Sequence, residues 1–272
     1  MRGSRMPTAL TVAGSDSGGG AGIQADLKTF TAFRVFGLSA IAGLTAQNTR
    51  GVRGVELPTT EFIAAQLRAV LEDIGVDAVK TGMLATGAII RTVAGAVREF
   101  RLTNLVVDPV MIAASGDTLM QHEAAPVMRE HLFPLATVVT PNLDEATFLC
   151  ERKIRTIDDM EEAARTIHAM GPRYVLIKGG HLPGERVVDL LFDGRHSVRK
   201  ESPRIPGEFH GTGCTLSSAI ASGLAKGLGV PEAVATAQAY IALAMRSAPA
   251  VGEGRRPLNH CPDGFVPPEV RP

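Results

Sequence analysis

What the chain lacks narrows it first. It has no surplus of charge: 28 Lys plus Arg balance 28 Asp plus Glu across 272 residues. Binding nucleic acid by neutralising phosphates, or a membrane through a polybasic face, needs an excess of positive charge, so neither partner is expected. Cysteine is scarce. The three, Cys150, Cys214 and Cys261, form no CxxC pair, and with seven scattered histidines they give no zinc spacing and no disulfide framework. Long apolar runs are missing too. After Arg2 and Arg5 only Ala9 to Ala13 precede Asp16, too short for a secretory segment, and no later stretch approaches a membrane span. A cytoplasmic protein is expected, its opening Met-Arg-Gly-Ser either an upstream start or a cloning remnant. There is no internal repeat, no low-complexity block and no long linker, so one domain over 1–272 is expected, with 1–7 and 262–272 as peripheral tails.

What is present is an alternation of short apolar runs and amphipathic stretches. Thr8 to Ala13, Leu38 to Thr45, Ala78 to Thr81, Leu105 to Val110, Thr137 to Thr140 and Tyr174 to Lys178 read as buried strands. Ile63, Leu67, Val70, Leu71 and Ile74 make one stripe of a helix. Such alternation predicts a mostly parallel sheet covered by helices on both faces. Val187 to Phe192 followed by Asp193-Gly194 and a polar run from Arg195 predicts a late hairpin. Two helices rich in small residues then run over about 213–227 and 231–246. In open α/β sheets ligands sit beyond the carboxyl ends of the strands, and Gly14 to Gly22, Asn48, Gly82-Met83, Asp108, Pro141-Asn142 and Gly179-Gly180 all fall there.

Four constellations carry candidate chemistry. Five glycines between Gly14 and Gly22 let backbone approach a ligand and open a helix whose free N–H groups suit an anion. No Walker A sequence occurs. Gly20 to Ala25 fits GxGxxA, but the acidic residue that a dinucleotide ribose requires is absent downstream. A plainer reading makes this a solvent loop with Asp26 as a first-turn charge. In His210-Gly211-Thr212-Gly213-Cys214 the glycines before a helix form a pocket of amide donors suited to a transferring phosphoryl group. The positive helix end would lower the Cys214 thiol, making it a base or a donor, although a small buried cysteine is the commoner case. Asn142-Leu143-Asp144-Glu145 resembles a capping box and also offers oxygen ligands for Mg²⁺. Asp108 and Lys178, at two strand ends, would bracket a triphosphate or form a mere surface pair.

In order, these segments resemble the ribokinase-like superfamily, and within it the hydroxymethylpyrimidine and phosphomethylpyrimidine kinases of thiamine biosynthesis. The resemblance runs through AGSDSGGGAGIQADLKTF (13–30), LTAQNTRGV (44–52), KTGML (80–84), VVDPVM (106–111), SGDTLM (115–120), VVTPNLDEA (138–146), IKGGH (177–181) and HGTGCTLSSAIA (210–221), with Pro257 to His260 resembling the closing segment. It implies a three-layer α/β/α sandwich with a mostly parallel central sheet. It implies ATP and Mg²⁺ as cofactors, two successive phosphorylations of a pyrimidine alcohol, and a homodimer. By the same resemblance Gly14, Asp26, Gln47, Met83, Val110 and Cys214 surround the pyrimidine. Gly211 and Gly213 form the anion hole, with Cys214 where sugar kinases carry an Asp base. Asp108, Asn142, Lys178 and Thr212 lie by the nucleotide phosphates, and Glu145 with Asp108 by the metal. Pro206 to Phe209 departs from the polar stretch usual there. A cysteine base would make Cys214→Ala harm the first phosphorylation more than the second. Rival readings are a pyridoxal kinase, a cysteine transferase or hydrolase using Cys214 and His210, and a non-catalytic binder.

Overall fold

The central strands are short runs buried on both faces, and their residues alternate between two helical layers. In the computed structural model, which describes residues 5–111, 119–121, 123–180 and 182–271, the chain builds eleven strands and eight α-helices. The order is β1 (Thr8–Asp16), α1 (Gly22–Ala32), β2 (Phe36–Asn48), β3 (Gly51–Glu56), α2 (Thr60–Leu71), β4 (Ala78–Thr81), α3 (Gly87–Glu99), β5 (Leu105–Val107), α4 (Ala124–His131), β6 (Val138–Val139), α5 (Leu143–Cys150), α6 (Ile157–His168), β7 (Tyr174–Ile177), β8 (Arg186–Phe192), β9 (Ser197–Pro203), β10 (Phe209–His210), α7 (Thr212–Ala225), α8 (Val230–Arg246) and β11 (Arg256–Pro257). Nine strands form one sheet in the order β3-β2-β1-β4-β5-β6-β7-β8-β9. The run from β2 to β7 is parallel, while β3, β8 and β9 are antiparallel additions at its edges.

Alternation along each strand divides the core. Leu10, Val12, Val107, Val139 and Ile177 face a layer containing α2 to α6. Ala9, Val106, Val138 and Leu176 face α1, α7 and α8. Helix α7 reaches the sheet closely because its residues are small, and Gly223 leaves no room for a Cβ against Ala233 of α8. Leu216, Ile220 and Leu224 are buried along it, and Leu228 is buried just beyond its end.

The structure amends several expected boundaries. Strand β1 runs on to Asp16 and β2 to Asn48, so part of the first glycine segment is sheet. The strand expected to end at Val110 ends at Val107, and Asp108 follows it. Strand β3 is unforeseen: its sequence Gly-Val-Arg-Gly-Val-Glu carries no apolar face, and the strand is largely exposed. The segment expected as a tail after 262 packs Phe265 on Phe33 and Tyr240, and Arg271 pairs with Glu232. Met1 to Ser4, residues 115–118 of the SGDTLM segment and His181 lie outside the described residues. Among the described residues no helix is long and apolar enough to cross a membrane.

Candidate active site

Helix α7 begins at the carboxyl end of the sheet, and glycine makes its position attainable. Gly211 caps it in the left-handed region at φ 82°, where a Cβ would drive into the carbonyl oxygen of Gly20. The first helical bond runs from Thr215 N–H to Gly211 O at 2.9 Å. The N–H groups of Thr212, Gly213 and Cys214 therefore have no acceptor four residues back and remain available to an anion. Gly213 brings this ridge against a charged pair: a Cβ there would lie 3.1 Å from Lys178 Nζ and 3.4 Å from Asp108 Oδ2.

Asp108 and Lys178 are joined at 2.9 Å and line the cavity, so they are no surface pair. Thr140 donates to Asp108 Oδ1 at 3.1 Å. The lysine is raised, because Asp108 and Glu145 outweigh the burial that opposes its charge. Asn142 caps α5 by a capping box: its N–H donates to Glu145 Oε2 at 2.7 Å and its Oδ1 accepts from Glu145 N–H at 2.9 Å. The capping reading holds, and Asn142 and Glu145 also line the cavity. Burial and the neighbouring Asp108 push the Glu145 carboxyl up to about 7, against Lys178.

One helical turn below Cys214, Ser218 points into a buried cluster. Asp26 accepts from Ser218 at 2.6 Å, from Thr11 at 2.6 Å, and from Lys80 Nζ at 2.9 and 2.8 Å on its two oxygens. Asp26 and Lys80 are both fully buried. Asp26 lies in the second turn of α1 and does not line the cavity, unlike the place expected for it; Lys80 does line it. The sequence marks Lys80 only as the first residue of KTGML (80–84), without a role, because a lone lysine in an apolar strand declares nothing until its partner is placed beside it. Cys214 also departs from expectation. Burial, with Asp26 and Asp108 nearby, pushes its thiol up to about 11 despite the pull of Lys80.

The other end of the cavity is built by the first glycine loop. Its amides do not wait for an external anion, because Asp16 fills them: Gly18 donates to Oδ1 at 2.8 Å, and Gly20 and Ala21 to Oδ2 at 3.0 and 2.8 Å. His210 Nε2 lies 2.9 Å from the same Oδ2. These donors hold the Asp16 carboxyl below the usual range although burial opposes them. Asp16 is thus the partner of His210 that the sequence, with 194 positions between them, did not disclose. No hydrogen bond among the described residues joins His210 to Cys214, which leaves the cysteine-hydrolase reading without its dyad. Met83 fits between two glycines, its Cε 3.1 Å from where a Cβ of Gly14 would stand and 2.8 Å from that of Gly43. Gly14, Gln47, Met83 and Val110 line this end. The whole cavity measures about 1100 Å³ and extends past Thr212, Gly213 and Lys178 to Ile205, Phe209, Gln238 and Met245. Gly207 to Phe209, from the unusual upstream segment, form part of that far wall.

Comparison with known proteins finds relatives over most of the chain. The chain is 50% identical over 256 residues to a hydroxymethylpyrimidine/phosphomethylpyrimidine kinase of Rhizobium meliloti, covering 93% of this chain and 96% of that one. It is 52% identical over 252 residues to the thiamine biosynthesis bifunctional protein ThiED of Geobacter sulfurreducens, covering 92% of this chain but spanning about half, 51%, of that protein. Among solved structures, an ADP complex of Bacillus subtilis pyridoxal kinase superposes with a TM-score of 0.87 at 44% identity, over 94% of this chain and 98% of that one. The profile of the phosphomethylpyrimidine kinases matches residues 16–259, nearly the whole of the sheet and its helices, and the chain belongs to that family.

Proposed function

We propose that the chain transfers the γ-phosphoryl group of ATP to 4-amino-5-hydroxymethyl-2-methylpyrimidine and then, in the same site, to the resulting monophosphate. The observation that carries this is the amide ridge of α7, placed between the Asp108–Lys178 pair and the slot formed by Gly14, Met83 and Gln47. The alcohol oxygen forms a bond to the γ-phosphorus as the bond to ADP breaks, and the alcohol proton leaves to a phosphate oxygen or to solvent. Transfer of this kind relies on position and charge stabilisation more than on covalent help. Lys178 supplies charge to the triphosphate, and the amides of 212 to 214 meet the group in transit. The Cys214 thiol, protonated at neutral pH when the cavity is empty, suits donation of a hydrogen bond to that group better than removal of a proton.

The residues fit a magnesium ion held chiefly through phosphates. No hydrogen bond among the described residues reaches Glu145 Oε1, and burial and Asp108 raise its carboxyl to about 7, a penalty on the charged form that a dication would relieve. Among the described residues no group of three or more His, Cys, Asp or Glu surrounds a metal position, so phosphate oxygens and water would complete the shell. Glu145 and Asp108 would hold the ion, which supplies charge neutralisation at the β- and γ-phosphates. The proposed setting is the cytoplasm, on the scarce, unpaired cysteines, and the proposed assembly is a homodimer, on the family resemblance alone.

The test is ATP consumption with purified protein and product mass. The pyrimidine alcohol gains one phosphate and then a second. Pyridoxal is run beside it, because a pyridoxal kinase stands among the structural relatives. Preferential turnover of pyridoxal would replace the reading, and tight pyrimidine binding without ATP consumption would reduce the protein to a binder.

A further inference from the structure

Gln47 looks into the cavity from between two protein partners. Its Oε1 lies 3.0 Å from Thr45 Oγ1, and Thr45 Oγ1 lies 3.0 Å from the carbonyl oxygen of Ser15. On the other side its Nε2 lies 3.2 Å from His210 Nε2, the atom that meets Asp16 at 2.9 Å. With the amide in that sense the hydrogens do not balance. Thr45 has one hydroxyl hydrogen and two acceptors facing it. Asp16, ringed by three backbone N–H donors, only accepts, so His210 Nε2 carries its hydrogen toward the carboxylate. That nitrogen then has no lone pair for the amide NH₂ opposite, and two donors meet. Rotating the amide by half a turn removes the clash of donors and frees the Thr45 hydrogen, leaving one hydrogen on His210 Nε2 to be shared by two acceptors, an attractive three-centre arrangement; shape alone does not distinguish the two ends of the amide. Oε1 then shares the His210 Nε2 hydrogen with Asp16, NH₂ donates to Thr45, and Thr45 keeps its hydrogen for Ser15.

We propose that Asp16 and His210 fix the sense of the Gln47 amide, acceptor toward His210 and donor toward Thr45, and that His210 is thereby a positioning residue for recognition of the substrate ring. The surroundings favour such control. The Gln47 backbone is clamped by Ser17, whose hydroxyl both accepts from its N–H and donates to its C=O at 2.8 Å, so only the side chain can turn. The His210 ring is buried and takes the space that a Cβ at Gly20 would fill, its Cδ2 2.5 Å from that point, so it packs directly on the glycine loop. After these bonds the amide retains one N–H and one lone pair. An aminopyrimidine offers a ring nitrogen next to an exocyclic NH₂, which matches a fixed amide in one orientation only. A pyridine alcohol without the amino group offers no such pair.

This rests on the pyrimidine reading for its ligand but not for its first test. Nitrogen-15 spectra of the unliganded full chain, with His210 assigned by its loss in His210→Gln, report which ring nitrogen is protonated. A hydrogen on Nε2, alone or with Nδ1, is expected; a bare Nε2 overturns the proposal. Binding of 4-amino-5-hydroxymethyl-2-methylpyrimidine and of ADP is then measured by calorimetry. His210→Leu weakens the pyrimidine about tenfold, the scale of one well-placed hydrogen bond. His210→Gln, which can place a donor near the same point, recovers most of that loss, and ADP affinity stays within about twofold in both. In a Gln47→Ala background His210→Leu costs nothing further. Additive losses, or a failed rescue in a folded His210→Gln, overturn the proposal. A wild-type protein that binds no pyrimidine removes the functional reading while the ring-nitrogen result still stands or falls by itself.

Discussion

A thiol near a helix N-terminus is expected to ionise easily, and Cys214 does the opposite because its partial exposure is to a cavity rather than to bulk water. A protonated thiol donates in both phosphorylations. Cys214→Ala is therefore expected to slow both steps by comparable factors of about 10- to 100-fold, read by quenched-flow separation of monophosphate and diphosphate. A loss confined to the first step would restore the role of base. Lys80 and Asp26 make a second residue-scale case. Each satisfies the other where neither meets water, so removing one strands a charge. Lys80→Met should cost about 3–5 kcal/mol in urea unfolding, and adding Asp26→Asn should recover part of it. Equal stability of wild type and Lys80→Met would contradict the pair's structural weight. The glycine entry to α7 at Gly211 and Gly213 and the Asn142–Glu145 cap were legible because each sits in a motif of consecutive residues. Asp16, Lys80 and the buried place of Asp26 were not, since their partners are distant in sequence and sequence spacing does not record contacts across the sheet.

Elements were legible to the degree that their burial is uniform. The short strands from β4 to β7 are apolar at nearly every position, and the hairpin β8–β9 declared itself by Asp193-Gly194. Strand β3 pairs with β2 by backbone alone and left no pattern to read. Helix α7 has a further dependence on the end of the chain. Thr215, in its first turn, lies 3.0 Å from His260 Nε2, and Tyr240 donates to the His260 carbonyl at 2.8 Å. Burial, with Lys28 nearby, holds this imidazole down at about 4. The unfolded chain takes up a proton near 6.5 that the folded chain refuses until about 4, so stability falls as pH drops through that window. The contribution lost is about 3 kcal/mol at most. Urea unfolding at pH 7 and 4.5 should show a smaller acid loss in His260→Gln than in wild type, and identical losses would exclude His260 as the source.

At the scale of the molecule, one cavity crosses the carboxyl ends of the parallel strands, with the slot proposed for the pyrimidine near β1 and β4 and the end proposed for the nucleotide near β8 and α8. The two ends share the amides of α7 but few side chains, so ligands should stabilise the fold separately. At a hundredfold excess over Kd, ADP contributes about 2.7 kcal/mol, or roughly 5 °C or more in thermal midpoint for a chain of this size. Thermal scans are expected to lose the ADP shift in Lys178→Met while the pyrimidine shift persists; joint loss would mean that the ends are not independent. The carboxylate of Asp16 has a consequence at this scale as well. A ring of convergent amides is a general trap for inorganic phosphate, and a chain with two such rings would offer its triphosphate a decoy. By carrying its own counter-ion in one of them, the protein leaves a single address for the incoming group, and the direction of transfer is written into the backbone before either ligand arrives.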